Sequence, residues 1–151
     1  MKYITPSTHD FTKNSTPWSL EPKENESYDL HAVEMTFDAD IVQTSDIIVK
    51  FFNRKKEEPL GEVRYKNFLD WIRKSTEHKK IEGVHSKTIH KFYINFSTDI
   101  RLYNESINPN GVNYMTVEVE GAKVLKDKNG GPCDIAIGEY IINVNKHTPI
   151  T

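Results

Sequence analysis

Ser45 to Lys80 reads SDIIVKFFNRKKEEPLGEVRYKNFLDWIRKSTEHKK, and this stretch decides the fold class. Its opening, Asp46 to Asn53, carries Ile47, Ile48, Val49, Phe51 and Phe52 with only Lys50 interrupting. A strand apolar on both sides is covered on both sides, by a core on one face and by a helix or another chain on the other. After a charged loop the period changes. Tyr65, Phe68, Leu69 and Ile72 fall at i, i+3, i+4 and i+7 with Trp71 at the border, which predicts an amphipathic helix over about 62–80. Glu57, Glu58 and Glu62 crowd its start and Lys74, His78, Lys79 and Lys80 its end, complementing the helix dipole, with Gly83 as a stop.

Outward from this stretch the chain reads as strands and turns. Val33, Met35 and Phe37 alternate with polar neighbours, as do Phe92, Ile94 and Phe96, and Met115, Val117 and Val119; this is the period of half-buried strands. The linker over 38–46 is long for a tight hairpin and is expected to protrude. Asn108-Pro-Asn-Gly111 and Asp127-Lys-Asn-Gly-Gly131 are turns. In the last strand Ile135 and Ile137 have one parity and Tyr140, Ile142 and Val144 the other, which predicts a β-bulge at Gly138 between them. Residues 1–27 are polar and turn-rich, with Pro6, Pro17 and Pro22 and few apolar anchors beyond Phe11, Trp18 and Leu20. They read as an extended N-terminal arm on a single β domain over 28–151.

A chain of 151 residues fits one domain, which buries roughly 70% of the surface its unfolded form exposes. Twenty Lys and Arg against 22 Asp and Glu leave a formal charge of −2 with the signs interspersed. This lacks the basic stripe of a nucleic-acid binder and the polybasic cluster of a membrane-surface protein. The single cysteine, Cys133, excludes an intramolecular disulfide framework and fits a reducing compartment. MKYITPSTHDFTK has no apolar signal region, and clusters such as IIVKFF are too short to span a bilayer. A soluble protein without a signal peptide is the expectation.

Catalytic chemistry finds little footing. His78, His85 and His90 match neither a helical face nor alternate strand positions, and no Cys pair completes a zinc site. Cys133 in GGPCD has no specific base beside it and reads as a small half-buried residue. Asp38 with Asp40, and Glu118 with Glu120, are spaced two apart as on one strand face, which is the ordinary polar side of a strand. No glycine-rich phosphate loop, nucleophile elbow or HExxH motif occurs. No catalytic residue, metal or cofactor is expected, and the prior moves towards a building block or binding module.

The order of elements resembles the tail tube proteins of contractile phages and the inner-tube subunits of related injection machines. SDIIVKFFNRKKE leads through a short loop into RYKNFLDW, a strand running into a helix that bears Phe-x-x-Trp, here Phe68 and Trp71. YMTVEVEGAKV is similar to the family's late strand, an alternating run ending in a glycine, here Gly121. IAIGEYIINVNKH supplies a final strand. These matches cover about 45–80 and 112–147, roughly half of the chain. The family's proline near Val124 is missing, and residues 1–27 match nothing in it.

The resemblance implies a mainly β (α+β) fold, an antiparallel β-barrel or β-sandwich flanked by a single helix. It implies hexameric rings that stack into a hollow tube, and no enzyme activity. Partners would be copies of the same chain, with sheath or baseplate proteins beside them. DNA or effectors would pass through without sequence-specific binding, and no membrane is involved. The location would be a virion tail, or the cytoplasm before assembly. On that architecture Trp18, Asp40, Ile41, Val42, Ile48, Phe52 and Trp71 are subunit-interface candidates, and Thr116, Glu118 and Glu120 face the lumen. An acidic lumen would let DNA slide by repelling its phosphates.

Two rivals remain open at this point. A helix wrapped by an antiparallel sheet also describes the hotdog fold of acyl-thioester enzymes, to which GEVRYKNFLDWI is similar in passing; within that segment Glu62 and Asp70 are the acids that could serve its site. Alternatively, a small β-sandwich binding or inhibitor module would act by an exposed face lined by Tyr93, Tyr103, Tyr114 and Tyr140.

Overall fold

Period-2 patterning builds ten antiparallel strands among the residues that the computed structural model describes, namely 3–4, 8–10, 17–38, 46–66, 79–80, 88–120 and 136–148. They are β1 (Tyr3–Ile4), β2 (Thr8–Asp10), β3 (Trp18–Leu20), β4 (Glu26–Asp38), β5 (Asp46–Phe52), β6 (Gly61–Tyr65), β7 (Lys79–Lys80), β8 (Thr88–Tyr103), β9 (Tyr114–Glu120) and β10 (Ala136–Lys146). One sheet has the order β1-β10-β4-β8-β7, with β2 also on β10, and the other has β3-β9-β5-β6.

The pairings are nested. β2 pairs with β10, β3 with β9, β4 with β8 and β5 with β6, and successive pairs fall in alternate sheets. A long antiparallel hairpin rolled up in this way is a jelly roll. The architecture is therefore a two-sheet sandwich, and among the described residues the sheets do not close into a barrel.

Both sheets turn their apolar rows into one core. In the larger sheet Val33 lies between Tyr140 and Ile94, and Leu30 between Ile142 and Ile100. In the smaller, Val117 lies between Trp18 and Val49, and Met115 between Leu20 and Phe51. All of these belong to one cluster or pack against it. Each fully buried aliphatic side chain there contributes roughly 2 kcal/mol.

The helix expected over 62–80 is corrected at both ends. Gly61–Tyr65 is strand β6, paired with β5 from Ile47↔Tyr65 to Phe51↔Gly61. Lys79–Lys80 is strand β7, paired with Ile89 and Thr88. Residues 67–78, with Phe68, Asp70 and Trp71, lie outside the described residues. The physical reason at the first end is the other edge of β5. That buried strand needs a backbone partner on the side away from β9, and 61–65 provides the ladder while Tyr65 packs against the core.

The bulge is also corrected. Gly138 pairs regularly with Met35 on one side and His9 on the other. The slip falls on β4, where Ile141↔Ala32 is followed by Ile142↔Leu30 and His31 is the extra residue. β8 slips at the same point, from Asn95↔Ala32 to Ile100↔Leu30. His31 thus moves the buried parity of β4 from Tyr28 and Leu30 to Val33 and Met35. Ile137 simply takes the half-buried outward face.

Candidate interaction surfaces

Asparagine organises one end of the sandwich. Asn53 continues the core parity of Ile47, Val49 and Phe51, and Asn113 continues that of Val119, Val117 and Met115. Both are buried, Asn113 to 1% exposure. Asn53 Nδ2 donates to Gly111 O at 2.7 Å and Pro109 O at 3.0 Å, while its Oδ1 accepts from Lys55 N at 2.9 Å. Asn113 Nδ2 donates to Tyr103 O at 2.9 Å and Asn108 O at 3.0 Å, and its Oδ1 accepts from Arg54 N at 3.0 Å. Two buried amides thereby satisfy the backbone of the β5–β6 and β8–β9 loops where the ladders stop.

Asn104 and Asn25 extend the web. Asn104 Nδ2 donates to Pro22 O at 2.9 Å. Asn25, in the left-handed region at φ 59 that asparagine tolerates, donates its N–H to Ser106 Oγ at 3.0 Å and accepts from His147 N at 2.7 Å. A recess of about 170 Å³ opens at this end, lined by Asn53, Lys55, Lys56, Leu60 and Asn110. Beside it Arg54 Nε donates to Glu21 Oε1 at 2.9 Å and Nη2 donates to Oε2, and the guanidinium lies 4.4 Å over the Tyr114 ring. The hydrogen bonds to Glu21 push the Arg54 pKa up against a smaller opposing effect of burial.

The outward face of the smaller sheet gathers several of the residues singled out above. Thr116 stands beside Lys50, which is opposite Glu62, and Ile48 stands between Glu118 and Arg64. Phe52 is there too, stacked on Tyr114 at 4.7 Å. Arg64 pairs with Asp46 at 3.0 Å and Glu62 at 3.5 Å. The lumen candidates Thr116 and Glu118 and the interface candidates Ile48 and Phe52 therefore share one face, with Ile48 buried to 3% exposure. Its charges are mixed rather than uniformly acidic, because Lys50 and Arg64 interleave with the acids. Glu120 is opposite Asp46 in the ladder. Asp40, Ile41 and Val42 lie outside the described residues.

Trp18 is in the chain's own core. Its ring packs against Tyr140 at 3.9 Å between centroids with the planes tilted by 34°, and Tyr140 Oη donates to Trp18 O at 3.0 Å. Burial pushes the Tyr140 phenol far above its ordinary range. A common tyrosine face is accordingly not assembled: Tyr140 is fully buried, Tyr93 is exposed on β8, and Tyr114 is on the other sheet. Glu62, one of the two acids a hotdog site would need beside its helix, is an exposed strand residue.

Two polar arrangements in the larger sheet had no sequence signal of their own. Ser27 Oγ and His147 Nε2 share a hydrogen bond at 2.9 Å, the spacing of a nucleophile and its base. Ser27 is fully buried, so no substrate reaches it and the pair fastens β4 to the end of β10. Asp29 is pushed up by burial, but hydrogen bonds from Asn145 Nδ2 at 3.0 Å and Arg101 Nε at 2.6 Å outweigh that and hold its carboxyl below the usual range. Among the described residues no group of three or more His, Cys, Asp or Glu is placed to hold a metal, and no helix is long and apolar enough to cross a membrane. No protein-family model matches the chain, and no curated protein matches it.

Proposed function

We propose that this chain is a structural subunit of a phage or phage-like assembly, closing with copies of itself into rings of the tail-tube type. The observation that carries the reading is the end of the smaller sheet. Among the described residues β6 is its last strand, and Val63, on the core side opposite buried Val49, is 41% exposed beside Leu60 at 44%. An exposed strand edge with apolar side chains is a pairing site and a hazard for a protein that works alone; in a closed assembly it is covered. Jelly rolls recur in viral coat subunits, which supports assembly by analogy of architecture, although one architecture hosts many functions. The mixed charges beside Glu118 give less support to a repelling acidic lumen.

Electron microscopy with sedimentation over a range of concentrations tests the reading. Rings or stacked tubes of uniform bore are the expected outcome. A monomer at every concentration, with the purified chain unable to add to preformed tubes, would overturn it.

A second reading has its own observation. The asparagine-braced loops present Lys55, Lys56 and Leu60 on a firm frame around the recess, as a small binding module would. Loss of a partner on replacing Lys55 and Lys56 together, with no rings at any concentration, would favour it.

A further inference from the structure

We propose that two copies of the chain join edge to edge through β6, antiparallel about a two-fold axis at Val63, so that the two smaller sheets become one continuous sheet. The pairing rests on reading the chain as a self-assembling subunit; being two-fold, it joins subunits of two facing rings, and successive subunits around one ring meet through another surface. Gly61, Glu62, Val63 and Arg64 are all exposed although they are in ladder register with β5. Their order is self-complementary. Turned about Val63, Glu62 meets Arg64 of the second copy, Arg64 meets its Glu62, Val63 meets Val63 and Gly61 meets Tyr65.

Neighbouring registers are worse. Centring on Glu62 puts Glu62 against Glu62, and centring on Arg64 puts Arg64 against Arg64; like charges directly opposite destabilise a ladder and opposite charges favour it. A parallel pairing in register fails for the same reason. The sides of the sheet agree with the two-fold arrangement. Glu62 and Arg64 lie on the outward face, where Asp46 already orients Arg64 at 3.0 Å, and Val63 lies on the core side in the row of Val49 and Val117. A charge ladder above and a valine contact below would form together. Such a contact uses the same strand of both copies, so it closes on itself and does not propagate as a fibre.

The test uses the full chain with Cys133→Ser to remove background thiol chemistry. Val63→Cys places two thiols directly across the axis, and mild oxidation is expected to convert most of the protein to a disulfide dimer. Separately, Glu62→Arg carries two positive residues on β6 and Arg64→Glu two negative ones. Each alone is expected to lose self-association roughly tenfold, and mixing the two to restore it as a heterodimer. Circular dichroism confirms that each variant is folded; if Arg64→Glu is not, the Val63→Cys result decides alone. Absence of the cross-link at concentrations where the parent chain self-associates overturns the pairing. Rings without the cross-link overturn the pairing and leave the ring reading standing. Cross-linked dimers without rings do the opposite, and monomers throughout overturn both.

Discussion

Asn113 shows how much of this end of the molecule hangs on one side chain. Its amide makes three hydrogen bonds to backbone groups of two loops and is almost fully buried. Asn113→Ala leaves those groups without their partner, and at about 1 kcal/mol per bond the expected loss is about 3 kcal/mol. Urea denaturation measures it, with Asn110→Ala, an exposed neighbour, expected to change little. Equal effects at 110 and 113 would show that the web is not what braces the loops. The turn around Pro109 was readable in the sequence, because Asn, Pro and Gly favour turns for known reasons. Which asparagines are structural was readable as well, but only by extending the strand parity one step further: Asn53 and Asn113 both occupy positions where alternation calls for an apolar residue.

Strands declared themselves unevenly. β4 and β9 were legible from alternation and β5 from a continuous apolar run bounded by polar residues. β6 was not, since GEVRY satisfies a helical stripe through Tyr65 and a two-residue alternation equally well. The tie is broken by the open side of β5, a demand that no local pattern contains. The parity conflict in β10 was no bulge signal, because Ile137 lies on the outward face of a strand whose own register is unbroken there. The switch in β4 from Tyr28 and Leu30 to Val33 and Met35 was visible, and it is there that the extra residue sits. Deleting His31 should force one of those pairs out of the core at a cost of about 5 kcal/mol, whereas His31→Ala keeps the residue count and should cost far less. Chemical denaturation of the two variants separates the cases, and similar midpoints would mean that the slip does not set the register.

At the scale of the whole molecule the winding was not legible. It consists of pairings between distant strands, and the segment read as an extended arm contributes to both sheets. β1 and β2 pair with β10, and β3 pairs with β9. These strands are only two or three residues long, too short to show a period, and Trp18 and Leu20, two residues apart, marked β3 alone. Removing residues 1–20 is therefore expected to abolish the fold, since losing two such buried side chains costs about 5 kcal/mol or more, comparable to the whole stability of many domains. A truncated chain that stays soluble and melts cooperatively near the parent temperature would restore the picture of an arm.

The position of β10 also has a consequence in time. It lies between β1 and β4, at the heart of the larger sheet, yet it is synthesised after every other described strand. Until residues 136–146 have left the ribosome, β4 presents a long bare edge, and β1 and β2 have nothing to bind. Chains dominated by such distant pairings fold slowly and are prone to aggregate while incomplete. The nascent protein must wait for β10 before the larger sheet can close, and for that interval its fate is set by how fast it is made rather than by its finished stability.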